Sequence, residues 1–98
     1  MNDKERKALV SIDVSNIKSA DQLHKILKES LNFPDFYGMN WDAFWDAITG
    51  LIEMPEKLKL SGWYNIEKHI PKDAEIMVNL LTELNKKYPS LSCEVTYI

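Results

Sequence analysis

Three features of the sequence predict an α/β fold. Apolar residues alternate with polar ones in short runs near the start, in the middle and at the end. Between those runs they recur at the three- and four-residue spacing of a helix face. The two patterns also take turns along the chain, and strands separated by helices pair in parallel through right-handed crossovers. The expected architecture is a small sheet of three parallel strands packed with about four helices. At 98 residues the chain has the length of one domain, residues 1–98, around one core.

The elements follow in order. Lys7 to Val14 sets Val10, Ile12 and Val14 against Leu9, Ser11 and Asp13, the period of a half-buried strand. Ser19-Ala-Asp-Gln22 opens a helix as a capping box, the serine oxygen accepting from the Gln22 amide and the glutamine reaching back. Ala20, Leu23, Ile26, Leu27 and Leu31 line its apolar face. Asn32-Phe33-Pro34 ends it, because proline disfavours helical geometry in the residue before it. In the loop from Pro34 to Met39, Gly38 is expected to supply a permissive backbone. Asn40 is expected to cap a second helix, with Asp42 favourable near its positive end. Trp41, Phe44, Trp45, Ile48 and Ile52 carry that helix to about Gly50. After a break at Pro55, Lys57 to Leu60 alternates as a short strand. Gly62 to His69 reads as a short helix closed by Pro71. Asp73 is expected to cap the last helix, whose stripe is Met77, Leu80, Leu81 and Leu84. It ends at Lys86-Lys87, with Pro89 beyond. Leu91, Cys93, Val95 and Tyr97 alternate through the final strand.

Composition excludes several classes. With 45% hydrophobic and 28% charged residues and three glycines, the chain is neither disordered nor collagen-like. No apolar run approaches the roughly 18 residues of a membrane span. Met1 to Lys7 mixes acids with bases, and Asp13 interrupts the apolar stretch that follows, so no signal peptide is expected. Cys93 is the sole cysteine and has no internal partner, which fits a reducing, cytoplasmic compartment.

Charge placement says more than the net charge of −3. From Glu29 to Glu56 there is no Lys or Arg, yet six acids occur: Glu29, Asp35, Asp42, Asp46, Glu53 and Glu56. The other residues hold all 12 bases against nine acids. The acidic stretch is also rich in aromatics, among them Phe36, Tyr37, Trp41 and Trp45. Acids beside exposed aromatics suit a basic protein partner and repel nucleic acid. A soluble acidic surface over a core helix is the commoner meaning of such a charge run.

Little in the sequence carries chemistry. His24 and His69 lie in different elements without zinc spacing, and both read as surface or packing residues. Cys93, on a strand, reads as a small buried hydrophobe. No phosphate-binding glycine loop or nucleophile elbow is present. The unusual constellation is Asp42 and Asp46. Four residues apart, they share one helix face, where like charges repel by a few tenths of a kcal/mol. Asp42 has the helix dipole to favour it; Asp46 has none. A glycosidase dyad would flank a sugar within a cleft, and one exposed helix face is expected to offer no walls for it. Paired carboxylates beside Trp45 and Thr49 better suit a protrusion that enters a basic, phosphate-binding pocket.

Leu31 to Pro55 reads LNFPDFYGMNWDAFWDAITGLIEMP. It closely resembles the central segment of the barstar family, intracellular inhibitors of the ribonuclease barnase. The match includes Pro34, Asp-Phe-Tyr-Gly where the family has Glu-Tyr-Tyr-Gly, Asn40, Asp42-Ala43, Trp45-Asp46, Thr49-Gly50, Glu53 and Pro55. Ile17-Lys-Ser, Asp21 and Leu23-His24 extend it through the first helix, and Ala74-Glu75 through the last. The resemblance implies a barstar-like fold and an immunity protein, with no enzyme activity and no cofactor. The partner it implies is a basic barnase-like ribonuclease bound one to one, with no direct contact to nucleic acid or membrane, and the free chain is expected to be a monomer. The second helix and the loop before it would enter the ribonuclease site, with Phe36, Tyr37, Gly38 and Asn40 on the loop. Asp46 would occupy the catalytic phosphate site, facing arginine and histidine, and Asp42 would pair with basic groups at the rim beside Trp45. Thr49 and Gly50 follow at the helix end, and Glu83 matches a further acidic contact. Two departures touch this surface: Phe36 replaces a contacting tyrosine, and Leu51 replaces a tryptophan. They keep a second reading open, an interaction module of the same fold with a non-nuclease partner. A small enzyme using the aspartate pair is a third.

Overall fold

A computed structural model describes residues 6–98; residues 1–5, most of the opening that argues against a signal peptide, lie outside the described residues. The elements are β1 (Leu9–Asp13), α1 (Ala20–Leu31), α2 (Trp41–Asp46), β2 (Lys57–Ser61), α3 (Trp63–His69), α4 (Pro71–Lys87) and β3 (Glu94–Tyr97). A π-helical turn, Ala47–Leu51, continues α2, and a 3-10 turn, Pro89–Leu91, follows α4.

The strands pair in parallel in the order β1-β2-β3. Their register aligns Val10 with Leu58 and Val95, and Ile12 with Leu60 and Tyr97. This row packs against the core, where Ile12, Val14, Leu58 and Leu60 are buried with Leu23, Leu27, Phe44, Ile66, Met77, Leu81 and Leu84. The alternate row, Leu9-Lys57-Glu94 and Ser11-Lys59-Thr96, is exposed. Parallel sheets are usually covered on both faces. Here the outer row is mostly charged or hydroxylated, so it can remain in water.

Capping follows the local chemistry with small shifts. Ser19 Oγ accepts from the Gln22 amide at 3.1 Å, while Gln22 Oε1 reaches one residue further, to the Lys18 amide at 2.7 Å. The helix closes on Asn32 in the left-handed region (φ 62°), with the Phe33 amide returning to the Lys28 carbonyl. Asparagine tolerates that conformation better than most residues.

Two sequence expectations need correction around α3 and α4. Pro71 does not close the short helix; it is the first residue of α4, where its missing N–H costs nothing and its fixed φ suits the turn. Asp73 is therefore inside the first turn and makes no cap hydrogen bond. Its carboxylate instead accepts from Trp41 Nε1 at 2.8 Å, joining α4 to α2. In addition, Leu91 lies in the 3-10 turn ahead of β3, and the strand proper begins at Glu94.

Side chains tie the ends of the sheet to its surroundings. Arg6 donates to the Met54, Pro55 and Ser92 carbonyls, joining the approaches to β2 and β3. Asn85 on α4 brackets the Cys93 backbone, accepting its N–H at 2.7 Å and donating to its carbonyl at 2.8 Å. Gly62 opens α3 at φ 79°, and a Cβ there would lie 2.6 Å from Ser15 Cβ. Both facts demand glycine.

Candidate functional site

The loop before α2 is held from inside. Tyr37 is only 6% exposed; its hydroxyl lies 2.7 Å from Nδ1 of His24, and its ring meets Phe33 at 4.7 Å. Tyr37, expected among the partner contacts, anchors the loop to α1 in the free chain. Burial also drives its phenol pKa well upward. Gly38 needs correction. Its backbone is not left-handed; that conformation falls to Met39, φ 57°. What Gly38 provides is close approach, since a Cβ there would lie 3.3 Å from Ala43 Cβ. Its carbonyl accepts from Asn40 Nδ2 at 3.2 Å, while Asn40 Oδ1 accepts the Ala43 amide at 2.7 Å and caps α2 as expected. Phe36 projects outward, 74% exposed.

One face of α2 is anchored and the next is free. Phe44 is buried, with its ring edge-on to Trp41 at 5.2 Å. Trp41 also meets His24 in a tilted ring contact at 4.3 Å. His24 is buried, as a packing residue should be, and desolvation lowers its pKa against the opposing pull of Asp73 and Asp21. Trp45 is half-buried, its ring 6.3 Å from Tyr88 beyond the end of α4. Asp42 and Asp46 are both exposed.

The helix does not run on as a regular α-helix to Gly50. Over Ala47–Leu51 it widens into a π turn, closed by the Ile52 amide on the Ala47 carbonyl at 3.1 Å. Thr49 Oγ1 donates to the Trp45 carbonyl at 2.6 Å, a back-bond of the kind that bends helices. Gly50 is exposed with open space around it, and Leu51 is 47% exposed. Such π turns recur at functional sites.

The expectation of a wall-less helix face is overturned. Trp41, Asp42, Trp45 and Asp46 face Ile76, Leu80, Glu83 and Lys87 of α4 across a groove of about 520 Å³. Indoles and aliphatic side chains supply its apolar lining, and three carboxylates with one ammonium supply its charge. Lys87 Nζ lies 3.7 Å from Glu83 Oε1. The structure thus unites Asp42, Trp45, Asp46 and Glu83, while Phe36, Tyr37, Gly38, Asn40, Thr49 and Gly50 do not line this groove. Sequence reasoning missed Ile76 and Lys87 and treated Trp41 and Leu80 only as core. The signal was present: Ile76, Leu80, Glu83 and Lys87 are spaced four, three and four apart, a second helix face beside the buried stripe.

The thiol of Cys93 lies apart from this groove. Cys93 is buried, and desolvation raises its thiol pKa to about 11. Among the described residues no cluster of His, Cys, Asp and Glu is arranged to hold a metal ion, and no helix is long and apolar enough to cross a membrane.

Comparison with known proteins gives a family match and a similar relative. The family model described as Barstar (barnase inhibitor) matches residues 7–96. A protein of Bacillus subtilis (strain 168), described as "Putative ribonuclease inhibitor YrdF", is 31% identical over 78 residues, covering 80% of this chain and 86% of the relative.

Proposed function

The chain belongs to the barstar family, and from that premise we propose that it is a cytoplasmic ribonuclease inhibitor that blocks its target by one-to-one binding. The observation that carries this reading is the convergence of Asp42, Asp46 and Glu83 on one apolar-lined groove. A ribonuclease must present cationic groups to bind the phosphates of its substrate. A carboxylate held at that point satisfies those groups without offering a bond to cleave. Asp46 fills this role in the proposed complex, with Asp42 and Glu83 at its borders. Inhibition is then occlusion, steric and electrostatic, and the chain performs no chemistry.

The acidic stretch from Glu29 to Glu56 assists by steering the encounter, an effect that acts over roughly 10 Å at 0.1 M salt. The exposed ring of Phe36 and the uncovered edge of the half-buried Trp45 supply apolar contact beside the acids, as interface aromatics commonly do. A specific observation favours a second reading. Phe36 and Leu51 are strongly exposed at positions where the family carries other residues, so an interaction module with a non-nuclease partner remains its rival.

Co-expression with barnase separates the two. An inhibitor restores growth to cells making the active ribonuclease, and purified protein titrates its activity to zero at one equivalent. Failure of both would leave the family fold standing but remove barnase-type ribonucleases as targets.

A further inference from the structure

The groove contains a charge that the inhibitor reading does not require. Among the described residues Lys87 is the single cation lining it, facing a helix that brings Asp42 and Asp46. Its separation from Glu83, 3.7 Å, is longer than the 2.7–2.9 Å of a charge-assisted hydrogen bond, and its side chain is 63% exposed. The pair is therefore loose, and the ammonium is free to meet a partner. Helix electrostatics do not account for it alone. The last turn of α4 already has Lys86, which is exposed and does not line the groove.

We propose that Lys87 is a specificity-determining residue of the groove. It makes the α4 side of an otherwise acidic surface mixed in charge. The fitting partner is a ribonuclease whose basic centre is bordered, opposite Lys87, by an acidic or neutral group. One that places a further cation there meets like charge at close range, the usual means of suppressing a wrong partner. The proposal rests on the inhibitor reading, since it concerns which ribonuclease that groove accepts.

The test uses barnase as probe and compares the parent chain with Lys87→Gln, Lys87→Glu and Lys86→Gln, at low and raised salt. All three changes are at exposed positions, and their thermal midpoints check that folding is intact. Lys87→Gln should tighten binding about threefold at low salt, the scale of one exposed charge contact. Lys87→Glu should tighten it about tenfold, roughly twice that step in free energy. Both gains should shrink as salt screens them, and Lys86→Gln should change little. Binding detectable only after Lys87→Glu would support the proposal most strongly. Equal gains from Lys86→Gln and Lys87→Gln would reduce the effect to net charge and overturn it. So would parental binding that both Lys87 variants leave unchanged, whereas a loss on Lys87→Glu would mean that the probe faces Lys87 with an acid, as the proposal requires of a fitting partner. If parent and variants all fail to bind, barnase-type ribonucleases are removed as targets, and this proposal about how the groove selects among them falls with that reading.

Discussion

Ser19 opens α1 and Asn40 opens α2 by the same device, a side-chain oxygen accepting an amide three residues on. From there the two helices diverge. α1 runs for 12 residues with Asp21 in its first turn, Lys28 in its last and a left-handed Asn32 to close it. Leu23, His24, Leu27 and Leu31 are buried along it. α2 runs for six residues, buries Phe44, has no base in its last turn and loosens into a π turn. It also keeps two aspartates on one exposed face, an arrangement that opposes folding slightly. Every local rule is met in α1, whereas α2 breaks several. Its support is borrowed, through Trp41 on Asp73 and His24, and through Trp45 beside Tyr88. The contrast teaches that α1 is built for stability, whereas α2, on the proposed reading, is built for presentation.

The largest effect should come from α1. Leu27 is fully buried, so Leu27→Ala should cost about 2–5 kcal/mol of stability, the usual penalty for a core leucine. Binding per folded molecule should stay at the parental level. Denaturant unfolding and calorimetric titration on the same sample measure the two quantities, and a loss of affinity in the folded fraction would break the division of labour.

Asp46→Ala should behave in the opposite way. Its affinity for a barnase-type enzyme should fall by at least about 2 kcal/mol, a size carried over from the matching aspartate of the barstar family rather than obtained from this geometry. The geometry contributes the sign of the second effect: an exposed aspartate without dipole support, four residues from another, leaves a thermal midpoint equal to or above the parent when removed. Asp42→Ala should show a smaller binding loss and a stability cost of about 0.3–1 kcal/mol, because Asp42 does sit in the first turn. If Asp46→Ala unfolds the chain while binding per folded molecule is unchanged, α2 is structural and the comparison collapses.

The smallest effect is absent at neutral pH. His24 belongs to α1 but touches Tyr37 and Trp41, so it sits where the two regions meet. Burial lowers its pKa below the ordinary 6.5, with Asp73 and Asp21 opposing. Below about pH 6.5 the unfolded chain then binds more protons than the folded one, and stability falls as pH falls through the lowered value. Unfolding free energies measured at successive pH values should show this slope in the parent and lose it in His24→Gln. A parent whose stability is flat across that window would mean that His24 takes up its proton without loss of fold.

Much of this protein was legible from local pattern. Alternation in Val10, Ile12 and Val14 and helical spacing in Leu23, Leu27 and Leu31 decided which residues face the core, because side-chain period depends only on backbone geometry. The caps at Ser19 and Asn40 were equally readable, since donor and acceptor lie within three residues. The placement of Asp42 and Asp46 on one exposed face followed from their spacing. What escaped depended on elements distant in sequence. Asp73 has the chemistry of a cap, yet Trp41, 32 residues away, claims its carboxylate once α2 and α4 are adjacent. Tyr37 was read as a contact and became an anchor because His24 is behind it. Gly38 is needed for the approach of Ala43, not for its own backbone freedom. The groove itself belongs to neither helix. Periodicity tells which face of a helix is apolar, but the walls of a cavity exist only after packing has chosen which second face, here Ile76, Leu80, Glu83 and Lys87, stands opposite the first.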